Sequence, residues 1–246
     1  MTARLRPWRG PAMLIFGILV LWQLAYWLVG DLALRSPWAT FSYASDLLAR
    51  PSFWPHFIET ATAFGVAILI AVAAGLSIGL LLGLSKLARG VLEPMLVAMY
   101  SIPKVTLYPI LLLAFGLGMP AKIAFGAIHG FIPIALFTIN AVRNVRPILL
   151  KTGRVLQMSR SAMVWRIVMP AALPEIFTGL RVGFSLTMIG TVLGEMFASQ
   201  RGLGYMLMNA IGLHNVDVIM SITLLLVLFA ATVSSILLSI DRRLHK

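Results

Sequence analysis

Residues 147–174 read PILLKTGRVLQMSRSAMVWRIVMPAALP, a basic stretch that interrupts a run of membrane-length apolar segments. Lys151, Arg154, Arg160 and Arg166 supply its charge, and Pro170-Ala171-Ala172-Leu173-Pro174 closes it before a glycine-spaced apolar helix. Val155, Met158, Ala162, Trp165 and Met169 recur at alternating spacings of three and four. That spacing predicts an amphipathic stripe on a helix–turn–helix at the membrane surface between Pro147 and Pro170. Such a stripe suits either anionic lipid or the groove of a cytoplasmic partner. A charged insert closed by two prolines is a surface on which another protein can push.

The flanking segments belong in lipid. Of 246 residues, 60% are hydrophobic and 11% charged, against roughly 25% charged in soluble domains. A membrane helix needs about 20 mostly apolar residues, so the chain has room for five or six spans and no sizeable soluble domain. Six can be drawn, over 12–29, 58–84, 96–117, 121–142, 174–197 and 217–239. The run 12–29 follows Arg4, Arg6 and Arg9 like a signal peptide. It exceeds the roughly 7–15 residues of a signal core and is expected to be a retained span. Pro94, Pro103 and Pro109 interrupt the third segment, which predicts burial in protein or along a cavity, where freed carbonyls find partners. The loop 30–56 carries Pro37, Trp38, Trp54 and Pro55, as a membrane–water interface would, with a short interfacial helix expected over 42–49.

The formal charge of +12 flanks the apolar segments instead of forming a basic domain, which fits topology signals and argues against nucleic acid. With the N-terminus inside, the inner side receives Arg4, Arg6, Arg9, Lys86, Arg89, Arg143, Arg146, Lys151, Arg154, Arg160, Arg166, Arg242, Arg243 and Lys246. The outer side receives Arg35, Arg50, Lys122 and Arg201. Fourteen against four places both termini in the cytoplasm. The chain has no cysteine, which removes disulfides and thiolate metal sites.

Two faces predict a packed bundle. Ala63, Ala67, Ala71, Gly75, Gly79 and Gly83 put a small residue at every fourth position of the second span. Four residues turn a helix by about 400°, so they form one slowly drifting stripe. Gly179, Gly183, Thr187, Gly190 and Gly194 repeat the device in the fifth. Small residues allow the close backbone approach that holds helices together in lipid, either within one subunit or between two copies.

Charged and polar groups inside spans need a reason. Arg181 is expected to snorkel to the cytoplasmic headgroups, and Glu195 to brace the outer loop around Arg201 to Tyr205. Glu175, after Pro174, reads as a carboxylate at a helix start. His129, with Tyr100, Ser101 and Asn140, offers polar groups for a translocation path, and Glu195 is a further candidate for it. No Gly-x-x-x-x-Gly-Lys-Ser/Thr loop is present, so ATP phosphates are not cradled in that way. The His-Glu-x-x-His motif of zinc proteases is also missing.

Several motifs resemble one family over essentially the whole chain. They are Ser159-Arg160, Arg166-Ile167-Val168-Met169-Pro170-Ala171-Ala172-Leu173-Pro174, Gly179-Leu180-Arg181, Gly194-Glu195-Met196 and Arg201-Gly202-Leu203-Gly204-Tyr205. Ile102-Pro103 and Phe115-Gly116-Leu117-Gly118 add support. Together they resemble the permease subunits of bacterial binding-protein-dependent ABC importers, in the nitrate/sulfonate/taurine-type branch. The resemblance implies an all-α polytopic protein, 1–246 forming a single transmembrane domain of six helices. It implies a cytoplasmic coupling segment over 147–169, between spans four and five.

It further implies a location in the bacterial inner membrane, a second copy as homodimer partner, cytoplasmic ATPase subunits and an extracytoplasmic substrate-binding protein. ATP and magnesium would sit on the ATPase, with no cofactor in this chain. The cargo would be a small solute resembling nitrate, a sulfonate, taurine or a thiamine precursor. In the family the coupling segment carries an EAA motif. Aligned back from Pro170, its Glu-Ala-Ala falls on Lys151-Thr152-Gly153 and its usual glycine on Gln157. Lys151, Thr152, Gly153, Arg154, Gln157, Ser159, Arg160, Trp165 and Arg166 are therefore the expected ATPase-coupling residues. An ion-driven secondary carrier and a non-transporting regulatory paralogue are the alternatives. Neither a repeat between the halves nor paired intramembrane acids favour the carrier.

Overall fold

The computed structural model describes residues 6–244; Arg4 and Lys246, counted above as inner charges, lie outside the described residues. Every regular element among the described residues is helical. In chain order these are α1 (Arg6–Val29), α2 (Pro37–Ala49), α3 (Phe53–Leu84), α4 (Lys86–Ser101), α5 (Tyr108–Phe115) and α6 (Met119–Arg143). There follow α7 (Pro147–Val155), α8 (Arg160–Met163), α9 (Met169–Ala198), α10 (Leu203–Gly212) and α11 (Val216–Leu244). Five helical stretches are long and apolar enough to cross a membrane, and counting α4 with α5 as one bent crossing makes six.

Helix α6 is the centre of the bundle. The most apolar window of α6 is 61% buried, against 0% for α1 and 11% for α11. Both small-residue stripes close on it. A methyl group added to Gly75 would stand 2.7 Å from Ile134 Cβ, and one on Gly83 would stand 2.8 Å from Val142 Cβ. From the other side, Gly190 lies against His129, where an added methyl would be 2.8 Å from Cγ. Gly194 lies against the backbone of Lys122. The stripes are thus occupied within one chain. Dispersion between closely fitted surfaces, not escape from water, is what holds such helices in lipid.

Helix α2 begins on Pro37, with Ser36 Oγ accepting from the Ala39 amide at 3.2 Å, a standard helix start. It lies against α11, where Ser221 Oγ donates to the Thr40 carbonyl. Arg35 binds Asp217 at 2.7 Å and Asp31 at 3.0 Å, tying the first outer loop to the start of α11.

Three expectations are corrected. The segment 96–117 is no continuous span: α4 stops at Ser101, Ile102-Pro103 is extended, and a 3₁₀ turn (Lys104–Leu107) leads into α5 after a 92° bend. Proline withdraws a donor and disfavours the helical conformation at the residue before it. The double proline also fails to end the second coupling helix. Instead α8 runs through a π-helical turn (Val164–Val168) into α9, so the span expected at 174–197 belongs to a helical stretch over Arg160–Phe197. Pro170 sits in the first turn of α9 and Pro174 lies inside it, so Glu175 is not at a helix start. Finally, the stripe from Val155 to Met169 is not one continuous face, since Met158, Ala162 and Met169 are half-buried against the chain itself. Val155 is 81% and Trp165 66% exposed, because the reversal at Gln157 breaks the helical register.

Candidate functional site

The elbow from α7 to α8 is built by its turn. Gln157 has φ +49°; its amide donates to the Arg154 carbonyl at 2.9 Å, and the Met158 amide donates to the Gly153 carbonyl at 3.0 Å. This 5→2 and 6→1 pair is the Schellman ending of a helix, whose left-handed residue is usually glycine. The position thus favours glycine, and glutamine holds the shape without it. Ser159 then caps α8, its Oγ accepting from the Ala162 amide at 3.2 Å.

Gly153 is the pivot of the elbow. A methyl there would meet Met163 Sδ at 2.6 Å and Ile167 Cδ1 at 2.9 Å, so α7 folds flat against the π turn. Leu150 and Met163 pack beside a buried cluster of Val142, Val145, Val168, Ala172 and Ile176, which joins the elbow to the ends of α6 and α9. Of the coupling candidates, Gly153 is therefore buried inside the hairpin, whereas Lys151, Thr152, Arg154, Gln157, Ser159, Arg160, Trp165 and Arg166 are exposed. Ile148, Val155, Leu156 and Trp165 form apolar surface among the four cations. The periodic stripe missed Ile148 and Leu156, because it was counted only from Val155 onward and Leu156 lies off its spacing.

At the opposite end of α9, Glu195 is fully buried. Thr60 Oγ1 donates to its carboxylate at 2.8 Å, the Gly204 amide donates at 3.0 Å, and Lys122 Nζ stands 4.0 Å away. Lys122, 1% exposed, donates to Glu59 Oε1 at 2.8 Å and to the Arg201 carbonyl at 3.0 Å. The Gly202 amide donates to His56 Nδ1 at 3.1 Å, and the Leu203 amide to Thr60 Oγ1 at 2.8 Å. Gly202, at φ +122°, presses on the Glu195 carboxylate, and Gly204 on its Cβ; no other residue fits either place. Glu195 thus braces the loop around Arg201 to Tyr205, as expected, and is enclosed within the chain. Lys122 is corrected from an outer-loop charge to a buried ion-pair partner; with Glu59 and Thr60 it escaped a reading based on spans and loops. The signal available was a lysine two residues after Pro120 at a helix start, with Glu59 at the very start of the second span.

His129 is buried inside the chain. It is 8% exposed, its Nδ1 lies 2.8 Å from the Phe125 carbonyl, and Gly190 covers the ring, so it lines no cavity within this chain. Asn140 Oδ1 is buried without a hydrogen-bond partner among the described residues. Ser101 is exposed at the end of α4, its Oγ donating to the Val97 carbonyl. Tyr100 does line a cavity: a groove of about 460 Å³ shared with Arg181, Ser185, Ser234 and Ser235. Arg181 does not simply reach for headgroups, since its Nη1 lies 3.8 Å from Asp241 Oδ2 on α11.

The chain matches the family described as "Binding-protein-dependent transport system inner membrane component" over residues 71–246. It is 29% identical to the taurine transport system permease protein TauC of Escherichia coli, covering 96% of this chain and 92% of that one. With the bicarbonate transport system permease protein CmpB of Synechococcus elongatus it shares 31% identity, over 80% of this chain and 74% of the relative. Other relatives are named as aliphatic sulfonate and nitrate permeases. Among solved structures, the inward-facing MetNI methionine ABC transporter aligns with a TM-score of 0.70 at 20% identity, covering 79% of this chain and 98% of that one. That likeness shows the fold.

Proposed function

The chain belongs to the binding-protein-dependent transport system inner membrane component family, and from that premise we propose how it works as the permease subunit of an ATP-driven importer. The whole chain acts as one transmembrane unit, and two copies make the channel. Both termini and the elbow Pro147–Val168 face the cytoplasm, where each elbow seats in a cleft of an ABC ATPase that binds the ATP and magnesium. A binding protein delivers cargo from outside. The cargo class is a small oxyanion or sulfonate, drawn from the relatives named for taurine, sulfonates, bicarbonate and nitrate.

The observation that carries this reading is an elbow that exposes Ile148, Val155, Leu156 and Trp165 along with Lys151, Arg154, Arg160 and Arg166, and is fixed through Leu150 and Met163 to the core. Exposed apolar surface of this kind, accompanied by charge, marks a protein contact. Because the elbow packs on the ends of α6 and α9, closing the ATPase pair moves those helices rather than a loose loop.

The chain has no cysteine, so single-cysteine labelling tests the reading directly. With an impermeant maleimide, Ser42→Cys on α2 is expected to react in intact cells, and Ser161→Cys in the elbow only after permeabilisation. Labelling of position 161 in intact cells would overturn the assignment. Uptake of taurine, ethanesulfonate, nitrate and bicarbonate by cells with and without the intact ATPase then separates this importer from an ion-driven carrier.

A further inference from the structure

The groove beside Tyr100 has a composition that the coupling mechanism does not require. It lies between α9, α11 and the end of α4, in the half of the membrane opposite Glu195, since Arg181 sits about 24 Å along the helix from Phe197. Its polar lining is Tyr100, Arg181, Ser185, Ser234 and Ser235. Lys104 adds a second cation nearby, its Nζ 4.7 Å from the Tyr100 ring centroid. An arginine inside a span is costly and marks a functional site by default.

The recorded charge partner of Arg181 among the described residues is Asp241, at 3.8 Å, beyond hydrogen-bond length. This ion pair offsets the charge without fixing the guanidinium fork. Ser185 Oγ donates to the carbonyl of Arg181 itself, at 3.3 Å, and among the described residues the hydroxyls of Ser234 and Ser235 show no hydrogen bond to another group. A guanidinium fork among hydroxyls recognises the planar or tetrahedral face of an oxyanion, which it can grip with two parallel hydrogen bonds.

We propose that this groove is a low-affinity oxyanion station on the inner half of the translocation path, with Arg181 as the gripping group. It rests on the permease reading above. Asp241 is the counter-charge to which Arg181 returns when the anion leaves, so the station releases its cargo readily. The same chemistry would hold the phosphate of an anionic lipid, and the test separates the two sources.

The experiment is uptake into proteoliposomes carrying the whole importer, with taurine, ethanesulfonate and nitrate as probes. Probe moved is measured per ATP hydrolysed, in phosphatidylcholine alone and with phosphatidylglycerol added. Arg181→Met is expected to lower that ratio roughly tenfold, the loss of one charge-assisted contact, and Arg181→Lys to recover part of it. The double variant Ser234→Ala/Ser235→Ala, which keeps the arginine and is small enough to fold, is expected to lower it about threefold. An unchanged ratio in all three variants overturns the proposal. So does a parallel fall in hydrolysis and uptake that lysine does not rescue, which marks a structural arginine. A defect confined to vesicles with phosphatidylglycerol assigns the groove to lipid and overturns it too. A wild-type importer that hydrolyses ATP yet moves none of the probes defeats instead the oxyanion cargo on which the station depends.

Discussion

Two residues carry more of this protein than their neighbours suggest. Gln157 occupies a left-handed position that costs an L-residue about 1–2 kcal/mol. Gln157→Gly is therefore expected to steady the turn by about 1 kcal/mol, read as a roughly fivefold slower tryptic cut after Arg154; a faster cut would contradict the strain. Glu195 holds a different kind of position. Glu195→Ala leaves the Thr60 hydroxyl, the Gly204 amide and Lys122 facing an empty site, at a cost of about 3–5 kcal/mol for a broken buried pair. Glu195→Gln keeps the shape and one acceptor, so its loss should be less than half of that. Thermal unfolding of the detergent-solubilised protein measures both, and an alanine variant that melts like wild type would remove the knot's structural role. Sequence pattern placed Glu195 beside Arg201-Gly202-Leu203-Gly204-Tyr205. It could not show that both glycines exist to clear the carboxylate, because that contact joins two helix ends through a turn.

Among the elements, the elbow and the bent pair α4–α5 show how proline acts by context. Ile102-Pro103 breaks a helix where the preceding residue must be extended, whereas Pro170 is absorbed in a first turn and a preceding π turn takes up the strain. The same residue type ends one helix and lets another continue, so counting prolines misplaced the start of the fifth span. On the elbow, Trp165 is the most exposed large apolar side chain of α8 and the π turn, at 66%. If it anchors the ATPase contact, Trp165→Ala should reduce copurified ATPase at least tenfold, the usual weight of a buried aromatic anchor being about 2 kcal/mol or more. Lys151→Glu, which restores the family's acidic charge, should weaken capture of this chain's own ATPase through like-charge contact at the matched surface. Equal recovery of ATPase by both variants and wild type would count against the elbow as the docking element.

For the whole molecule, the decisive arrangement is that α3 and α9 both close on α6. An alternative in which either stripe joins two copies predicts that bulky substitutions dissociate a dimer into folded monomers. The observed packing predicts something else. Gly79→Leu would drive a side chain into Thr138 and the Ala135 carbonyl, so monodisperse protein should be lost altogether in size-exclusion chromatography. A clean shift to a folded monomer would return that stripe to the interface between copies.

What the sequence determined by itself was the solvent, the number and rough limits of the crossings, their expected orientation, and the family. Each follows from local composition, from charge at segment ends, or from motifs read within a few residues. The tertiary structure alone decided which helix the small faces meet, that His129 is enclosed within its own chain between α6 and α9, and that Lys122, Glu59 and Glu195 form one buried polar knot. Those contacts link residues far apart in the chain. Periodicity names the face a helix offers, but only packing names the surface that takes it.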